Sequence, residues 1–567
     1  MRLAAPLALA GLHLLSLAAA LPSITRAGKY LYDQSGDRFY IKGVAYQPQG
    51  ELAASSEANS ANGGFPEPSS FHDPLSSPEN CTRDVPYLQQ LGINAVRVYS
   101  VNSSLDHDAC MKTLSDAGIY LLLDLSLPLN GSIDRSSPSW TTNLLDQYTA
   151  TINVFNAYDN VLGYNVGNEV VNLASNTDAL PFVKAAARDT KAYLKSIGSS
   201  AFVGYAAVDG DADFRNSVAE YLTCGDDDTI LDIYGFNNYE WCGDQDLSAS
   251  HWDTITSGFS DLPIPTYMSE FGCITSPPRL WTEVAALYVS PVSDVFSGGV
   301  AFSYFPTSDG YGIVTISDDG KTISITDDFT RLSTQFNATS PANSPSQSSS
   351  NSSTTTCPAE SSSLLASSDL PPTPDSSVCG CLEDKAFACH LTEAAANSPT
   401  IIGALLDYTC SLLGSSNSSA SCDTISSNGT SGSYGQLSFC SPAIKLEYVM
   451  SVYYQSNPVS TSCDFAGNAT LSTSSSKPNT ASDADTAAQS CLAAEKSGGV
   501  FTPSASSAAA SSTATSTSSS SSAASGAATS DSSSSAGVRA VSVGGGGVVS
   551  VVLGVVGMLV GGGAVLM

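Results

Sequence analysis

Between residues 21 and 335 the chain repeats one rhythm. A short apolar run is followed by a break, and often by a longer stretch with one apolar face. The runs are Phe39–Tyr46, Ala95–Tyr99, Tyr120–Leu125, Val161–Asn165, Phe202–Tyr205, Ile230–Phe236, Thr266–Ser269 and Val300–Tyr304. Helical spacing falls between many of them, as in Pro181–Ile197. Eight buried strands alternating with helices over about 300 residues predict an α/β fold, the (β/α)8 TIM barrel. A doubly wound sheet is the alternative, but no glycine-rich phosphate fingerprint follows the first strand.

The rhythm stops after residue 335. Residues 340–376 are rich in Ser, Thr and Pro, interrupted by Cys357. Eight cysteines lie between Cys379 and Cys491, and residues 503–536 are almost pure Ser, Ala and Thr. The predicted order is a barrel over 21–335, a linker over 336–378, and a small, disulfide-rich, mainly helical domain over 379–492. A stalk over 493–535 and a removed tail over 536–567 follow. The stalk composition buries no core and suits an extended, O-glycosylated segment.

The two ends set the expected address. Residues 1–20 carry a short basic start, an apolar run and Ala18-Ala19-Ala20, which reads as a secretion signal cleaved after Ala20. Eight N-x-S/T sequons agree: Asn80, Asn102, Asn130, Asn337, Asn351, Asn417, Asn428 and Asn468. The apolar run 548–567 reaches Met567 with no charged flank, behind small residues and a spacer. That is the pattern of a GPI-anchor signal, with Ser535 as the expected attachment site and Ser534 and Gly526 as rivals. A tail-anchored helix is the competing reading, which five glycines between Val552 and Ala564 disfavour.

Composition narrows the chemistry. The 567 residues hold 22 Lys+Arg against 53 Asp+Glu, a net charge of −31, which argues against nucleic-acid binding. Fourteen cysteines in a secreted chain point to disulfides and not to metal sites. Past residue 20 the histidines are only His72, His107, His251 and His390, with no H-E-x-x-H, no G-x-S-x-G and no P-loop. No metal or organic cofactor is expected.

In a barrel the chemistry sits at the C-terminal strand ends. Those positions hold Tyr46, Gln47, Tyr99, Asp124, Asn168, Glu169, Tyr239, Glu270 and Tyr304. Glu169 ends the fourth strand and Glu270 the seventh, each in an otherwise apolar or small segment. Either alone could be a buried carboxylate paired with Arg97. Together they fit the two carboxylates of glycosidic bond chemistry, one donating a proton and one attacking the anomeric carbon. Asn168 could bind a sugar 2-OH. Tyr46, Tyr99, Tyr239 and Tyr304 could line pyranose rings, or simply pack the barrel mouth.

These residues resemble a known family. The strand-four Asn-Glu with a strand-seven Glu is similar to the retaining barrel glycosidases. Finer strings resemble glycoside hydrolase family 72, the fungal β-1,3-glucanosyltransferases. They are Phe39-Tyr-Ile-Lys-Gly-Val-Ala-Tyr-Gln-Pro, Asp73-Pro-Leu, Arg83-Asp-Val-Pro-Tyr-Leu, Arg97-Val-Tyr, Gly167-Asn-Glu-Val, Pro181-Phe-Val-Lys-Ala-Ala, Asn237-Asn-Tyr-Glu-Trp-Cys-Gly and Ser269-Glu-Phe-Gly-Cys. The resemblance covers about residues 25–335. It implies Glu169 as acid/base, Glu270 as nucleophile, and sugar contacts from Gln47, Tyr99, Asp124, Asn168, Tyr239, Tyr304 and Tyr311. It also implies disulfides Cys81–Cys110, Cys242–Cys273 and Cys224–Cys357. Three departures stand out: Ala45 where the family usually has Asp, a long Glu51–Ser70 stretch, and Phe305-Pro306 after Tyr304. The strings Cys379-Gly-Cys, Tyr408-Thr-Cys, Gly432-Ser-Tyr-Gly, Phe439-Cys, Tyr453-Tyr and Cys463-Asp-Phe-Ala-Gly-Asn-Ala resemble the X8 domain, carbohydrate-binding module family 43. That implies β-1,3-glucan binding or support of the barrel, with Tyr434, Tyr453 and Tyr454 as contact candidates.

The implied activity is a retaining β-1,3-glucanosyltransferase acting on a glucan donor and a glucan acceptor, at the outer face of the plasma membrane or in the wall. A hydrolytic endo-β-1,3-glucanase and a non-catalytic wall-binding protein are the alternatives. Both carboxylates are present, which weighs against the last.

Overall fold

The computed structural model describes residues 21–52, 69–351, 353–415 and 421–495. The expected secretion signal, most of the Glu51–Ser70 stretch, Asn417, the stalk beyond Glu495, the candidate sites Gly526, Ser534 and Ser535, and the apolar tail lie outside them.

Eight strands close a parallel barrel: β1 (Ile41–Ala45), β2 (Ala95–Val98), β3 (Tyr120–Asp124), β4 (Val161–Asn168), β5 (Phe202–Ala207), β6 (Ile233–Asn237), β7 (Thr266–Phe271) and β8 (Phe296–Ala301). Helices α1 (Pro78–Leu91), α2 (Asp108–Asp116), α3 (Thr142–Phe155), α4 (Leu180–Ser196), α5 (Ala212–Thr223), α6 (Trp252–Gly258), α7 (Thr282–Leu287) and α8 (Asp327–Ala338) separate the strands and follow the last. Each predicted run overlaps one strand. The largest offset is at the eighth, where the strand starts at Phe296 and ends at Ala301.

Strand alternation sorts the side chains. Leu121 and Leu123 of β3 join the layer beneath the helices, whereas Tyr120 and Leu122 join the barrel interior. On β2, Val96 and Val98 face outward and Ala95 inward. The same parity sends Arg97 and Asp124 into the barrel. A hairpin ahead of β1, Thr25–Ala27 with Tyr30–Tyr32, puts Ile24 and Leu31 into the interior cluster, and Tyr99 and Phe302 border it.

Among the shifts in strand pairing, two bear directly on the strand-end carboxylates. The pairing of β6 with β7 shifts between Phe236/Met268 and Asn237/Glu270. The pairing of β4 with β5 shifts between Asn165/Gly204 and Asn168/Ala206. Each shift is a bulge, which inserts an extra residue and re-aims the side chain after it. Met268 and Phe271 therefore both pack outward while Glu270, between them, reaches the barrel interior.

After the barrel in the chain come α9 (Ser376–Ala386), α10 (Pro399–Ser415), α11 (Pro442–Ser456) and α12 (Ala481–Glu495), with the antiparallel pair β9 (Cys389–Leu391) and β10 (Ala469–Leu471). Their disulfides are Cys379–Cys440, Cys381–Cys491, Cys389–Cys463 and Cys410–Cys422. Two small apolar clusters form the core, so covalent staples are the expected supplement at this size. In the barrel region Cys81 is joined to Cys110, Cys224 to Cys357 and Cys242 to Cys273.

The Ser-rich segment between the two parts is bonded along its length. Arg38 donates to the carbonyl of Ser344, Tyr40 to that of Ala342 and Tyr32 to that of Pro345. Further on, Leu365 N–H donates to Thr177 Oγ1, Tyr221 to the Ser367 carbonyl, and Arg188 to that of Pro371. The helical part then meets the barrel helices directly: Thr142 N–H donates to the Phe439 carbonyl, and Phe182 packs edge-on to Tyr434 at 5.8 Å. Among the described residues no helix is long and apolar enough to cross a membrane.

Candidate active site

Arg97 is the centre of the site and is fully buried. Its fork donates to Asp124 at 2.7 and 3.3 Å, to Glu270 Oε1 at 3.1 Å, to Asn168 Oδ1 at 2.8 Å and to the Ser269 carbonyl at 3.1 Å. Only a planar guanidinium has enough donors in fixed directions for such a set. Two acidic partners justify a cation this deep, because a buried charge without them is costly.

Glu270 accepts from three donors. Besides Arg97, Tyr99 Oη lies 2.9 Å from Oε1 and Tyr239 Oη 2.7 Å from Oε2. The carboxyl is 7 % exposed, and burial pushes it up to about 7, opposed by Arg97 and raised further by the Glu169 charge. The two tyrosine bonds also favour its ionised form. Glu169 is half-buried and is held by one side-chain donor, Asn237 Nδ2, at 2.7 Å. Asn237 also donates to Asn168 at 3.1 Å and accepts from Ser269 Oγ at 2.7 Å. The local donors thus favour charge on Glu270. The Glu169 charge acts the other way, raising the Glu270 carboxyl.

Glu169 sits in the left-handed region, at φ 49°. That conformation costs a non-glycine residue roughly 1–3 kcal/mol. Its backbone is pinned by its N–H to the Ala206 carbonyl and by Arg135, which donates to its own carbonyl at 2.7 Å. The kink lifts the carboxyl off β4 toward Asn237.

The nine strand-end candidates separate into layers. Asn168, Glu169, Tyr99, Tyr239 and Glu270 come together in one bonded group. Gln47 is a tie: its Oε1 accepts from the Tyr99 and Ser100 amides, and its Nε2 donates to the His72 carbonyl at 2.6 Å. Asp124 is 1 % exposed and accepts from Arg97 and from Asn165 Nδ2 at 2.6 Å. In this structure it supports Arg97. Tyr304 is fully buried against Tyr46 and Phe305. Tyr46 is also buried, donating to Asp84 at 2.8 Å.

The aromatic residue at the end of the eighth strand is instead Phe302, which sequence reasoning missed. Phe302 lies 6.3 Å from both Tyr99 and Tyr239 and 5.0 Å from Tyr311, which is itself 5.9 Å from Tyr239. The missed signal is strand length. With β8 ending at Ala301, the next side chain is the one that meets the mouth. Arg97 and Asn237 were visible in the sequence strings, but not as hubs.

The disulfide Cys242–Cys273 ties the loop after Tyr239 to the loop after Glu270. Replacing both cysteines by Ser is expected to lower unfolding free energy by about 3–4 kcal/mol, since the loop spans 31 residues. Chemical denaturation under non-reducing conditions measures it.

A cavity of about 580 Å³ opens beside the site, lined by Tyr46, Phe71, Asp73, Arg83, Asn102 and Phe305 among others. Neither Glu169 nor Glu270 lines it. Among the described residues one group has metal-ligand composition, Glu383, His390 and Glu447 in the helical part. Glu447 there accepts from His390 Nδ1 at 3.2 Å and from the Leu391 amide at 2.7 Å, which satisfies it as an ordinary ion pair.

Residues 14–340 match the family model described as glucanosyltransferase, and residues 387–470 match the X8 domain. A 1,3-beta-glucanosyltransferase gas1 of Schizosaccharomyces pombe is 41 % identical over 478 residues, 84 % of this chain and 83 % of that one. The pH-responsive protein 2 of Candida albicans is 41 % identical over 80 % of this chain and 79 % of its own. An apostructure of Saccharomyces cerevisiae Gas2p superposes with a TM-score of 0.72 at 36 % identity, covering 83 % of this chain and 98 % of that one. Gas2p in complex with laminaritetraose and laminaripentaose gives 0.70 at 35 % identity, over 82 % and 98 %. This chain belongs to the glucanosyltransferase family, with an X8 domain following its barrel in the chain.

Proposed function

We propose that this chain is a retaining β-1,3-glucanosyltransferase in which Glu270 is the nucleophile and Glu169 the acid/base. One observation carries the assignment: three donors converge on Glu270, whereas Glu169 has one neutral amide. Glu270, whose charge three donors stabilise against the burial that opposes it, attacks, and Glu169 gives the proton.

In the first step a Glu270 oxygen bonds to the anomeric carbon of an internal β-1,3 linkage. The glycosidic C–O bond breaks, and Glu169 gives its proton to the departing oxygen. The piece carrying the original reducing end leaves. Glu169, now ionised, takes the proton from the 3-OH at the non-reducing end of a second glucan. That oxygen displaces Glu270, and the product is a longer β-1,3-glucan. Asn168 Oδ1 is occupied by Arg97 and Asn237, which leaves its amide N–H groups to face the 2-OH. Water at roughly 55 M competes with the acceptor, so transfer needs a sugar held in attack geometry. The aromatic mouth of Tyr99, Tyr239, Tyr311 and Phe302 is the surface that supplies it, and Gln47 orients Tyr99.

We place the chain outside the plasma membrane, with residues 1–20 removed and a GPI anchor at Ser535, on the sequence patterns of its two ends. The boundaries proposed above, a barrel over 21–335 and an X8 module over 379–492, go with that reading.

The test is product sizing. Residues 21–500, secreted and oxidised, are incubated with one reduced β-1,3-gluco-oligosaccharide. The expected result is products longer than the substrate beside one short fragment. Only shorter products would make the protein a hydrolase.

A further inference from the structure

Arg279 lies outside the bonded group around Glu270 and belongs to the loop that follows β7. It is 5 % exposed. Its guanidinium donates Nη1 to the carbonyl of Phe302 at 2.8 Å and Nη2 to the carbonyl of Gly312 at 3.2 Å. Those two carbonyls belong to the two segments that carry the aromatic wall: Phe302 itself, and Tyr311, which directly precedes Gly312. Nε donates to Asp328 at 2.9 Å on α8, and the fork stacks on Trp281 at 4.4 Å. Arg331 donates to the backbone carbonyl of Arg279 at 2.7 Å. One side chain therefore fixes the spacing of Phe302 and Tyr311, and is itself fixed from three sides.

From this geometry we infer that Arg279 is a positioning residue for transfer: it sets the wall against which the acceptor glucan is held. The donors on Glu270 are Arg97, Tyr99 and Tyr239, and none of them is hydrogen-bonded to Arg279. Bond cleavage depends on those donors. Retention of the second sugar depends on the aromatic surface, whose stacking contacts contribute about 0.5–1.5 kcal/mol each. Losing the alignment of two rings lets water compete, because water needs no wall. The inference rests on the transferase reading given above.

The experiment sizes products from Arg279→Lys and Arg279→Gln beside the parent. Lys keeps the charge but is a single point that cannot bridge two carbonyls and Asp328. The readout is the ratio of transfer to hydrolysis products, which does not depend on how much of a sample is folded. The expected result is a fall of about tenfold in that ratio for both variants, with total cleavage retained within severalfold for Lys. Adding Phe302→Ala to Arg279→Lys should lower the ratio little further, since both changes remove one wall. A ratio within twofold of the parent in Arg279→Lys overturns the inference while leaving the transferase reading intact. Absence of elongated products from the parent itself overturns that reading instead.

Discussion

Replacing Glu270 by Gln abolishes glucan cleavage, by about 10⁵-fold or more, the scale seen when a covalent nucleophile is removed. The fold survives, because Gln keeps the shape and an acceptor oxygen for Tyr99 and Arg97. The same variant is more stable than its parent at neutral pH. The Glu270 carboxyl is raised in the folded state from 4.5 to about 7. A raised carboxyl contributes stability that is fully present below about 4.5 and lost as pH climbs through 7. Gln does not titrate, so it behaves as the protonated form throughout. The expected difference is near zero at pH 4 and up to about 3 kcal/mol in favour of Glu270→Gln at pH 8. Thermal melts of both proteins across that range measure it. A flat difference would show that Glu270 does not titrate in the window, and unchanged cleavage would sink its assignment as nucleophile.

The second large effect concerns Arg97. Arg97→Met leaves Asp124 and Glu270 facing each other, buried, with no cation between them. Breaking such a pair from one side costs about 3–5 kcal/mol. Denaturant unfolding should show that loss, with the unfolding slope unchanged. Arg97→Lys is the more informative variant. A lysine keeps the charge but cannot serve Asp124, Glu270, Asn168 and the Ser269 carbonyl together. Turnover is expected to drop by about 10²–10³-fold, as for loss of an electrostatic donor at a reacting centre. Arg97 is the chief influence lowering the Glu270 carboxyl. Its weakening raises that group further, so the acid limb of the kcat/KM profile moves to higher pH. An unmoved limb would mean that Arg97 acts on geometry alone.

Much of this was legible in the chain. Periodicity located eight strands because parallel barrel strands are buried on both faces and read as apolar runs. Glu169 and Glu270 stood out because each was a carboxylate closing such a run. Parity was the limit. Glu270 lies between two outward residues, and only the bulge at Ser269 turns it inward. Asn168 is re-aimed by a second bulge. A bulge is a pairing shift between two strands, so no periodicity within either strand reports it. The eighth strand ends at Ala301, three residues before the expected Tyr304, and that offset brings Phe302 beside Tyr99, Tyr239 and Tyr311. Asp124 was placed at its strand end, but its burial beneath the mouth was not legible, since depth along a barrel axis depends on strand stagger. The pairing of the eight cysteines beyond Cys357 was out of reach on arithmetic, as their connectivities are many.

The segment joining barrel and X8 domain has the composition of a flexible tether, yet Ser344, Pro345, Leu365, Ser367 and Pro371 are all hydrogen-bonded to the barrel, and Cys357 is covalently joined to it. A free tether lets a binding module search a volume, and its benefit then falls with tether length. A bonded strap has no such volume. Any glucan strand held by the X8 domain is presented to the barrel from one direction and at one distance. Its effective concentration there is set by the shape of the two surfaces and not by the number of residues between them. Lengthening the Ser-rich segment at its exposed positions should therefore leave that concentration unchanged, while loosening even one of its anchoring bonds should alter it.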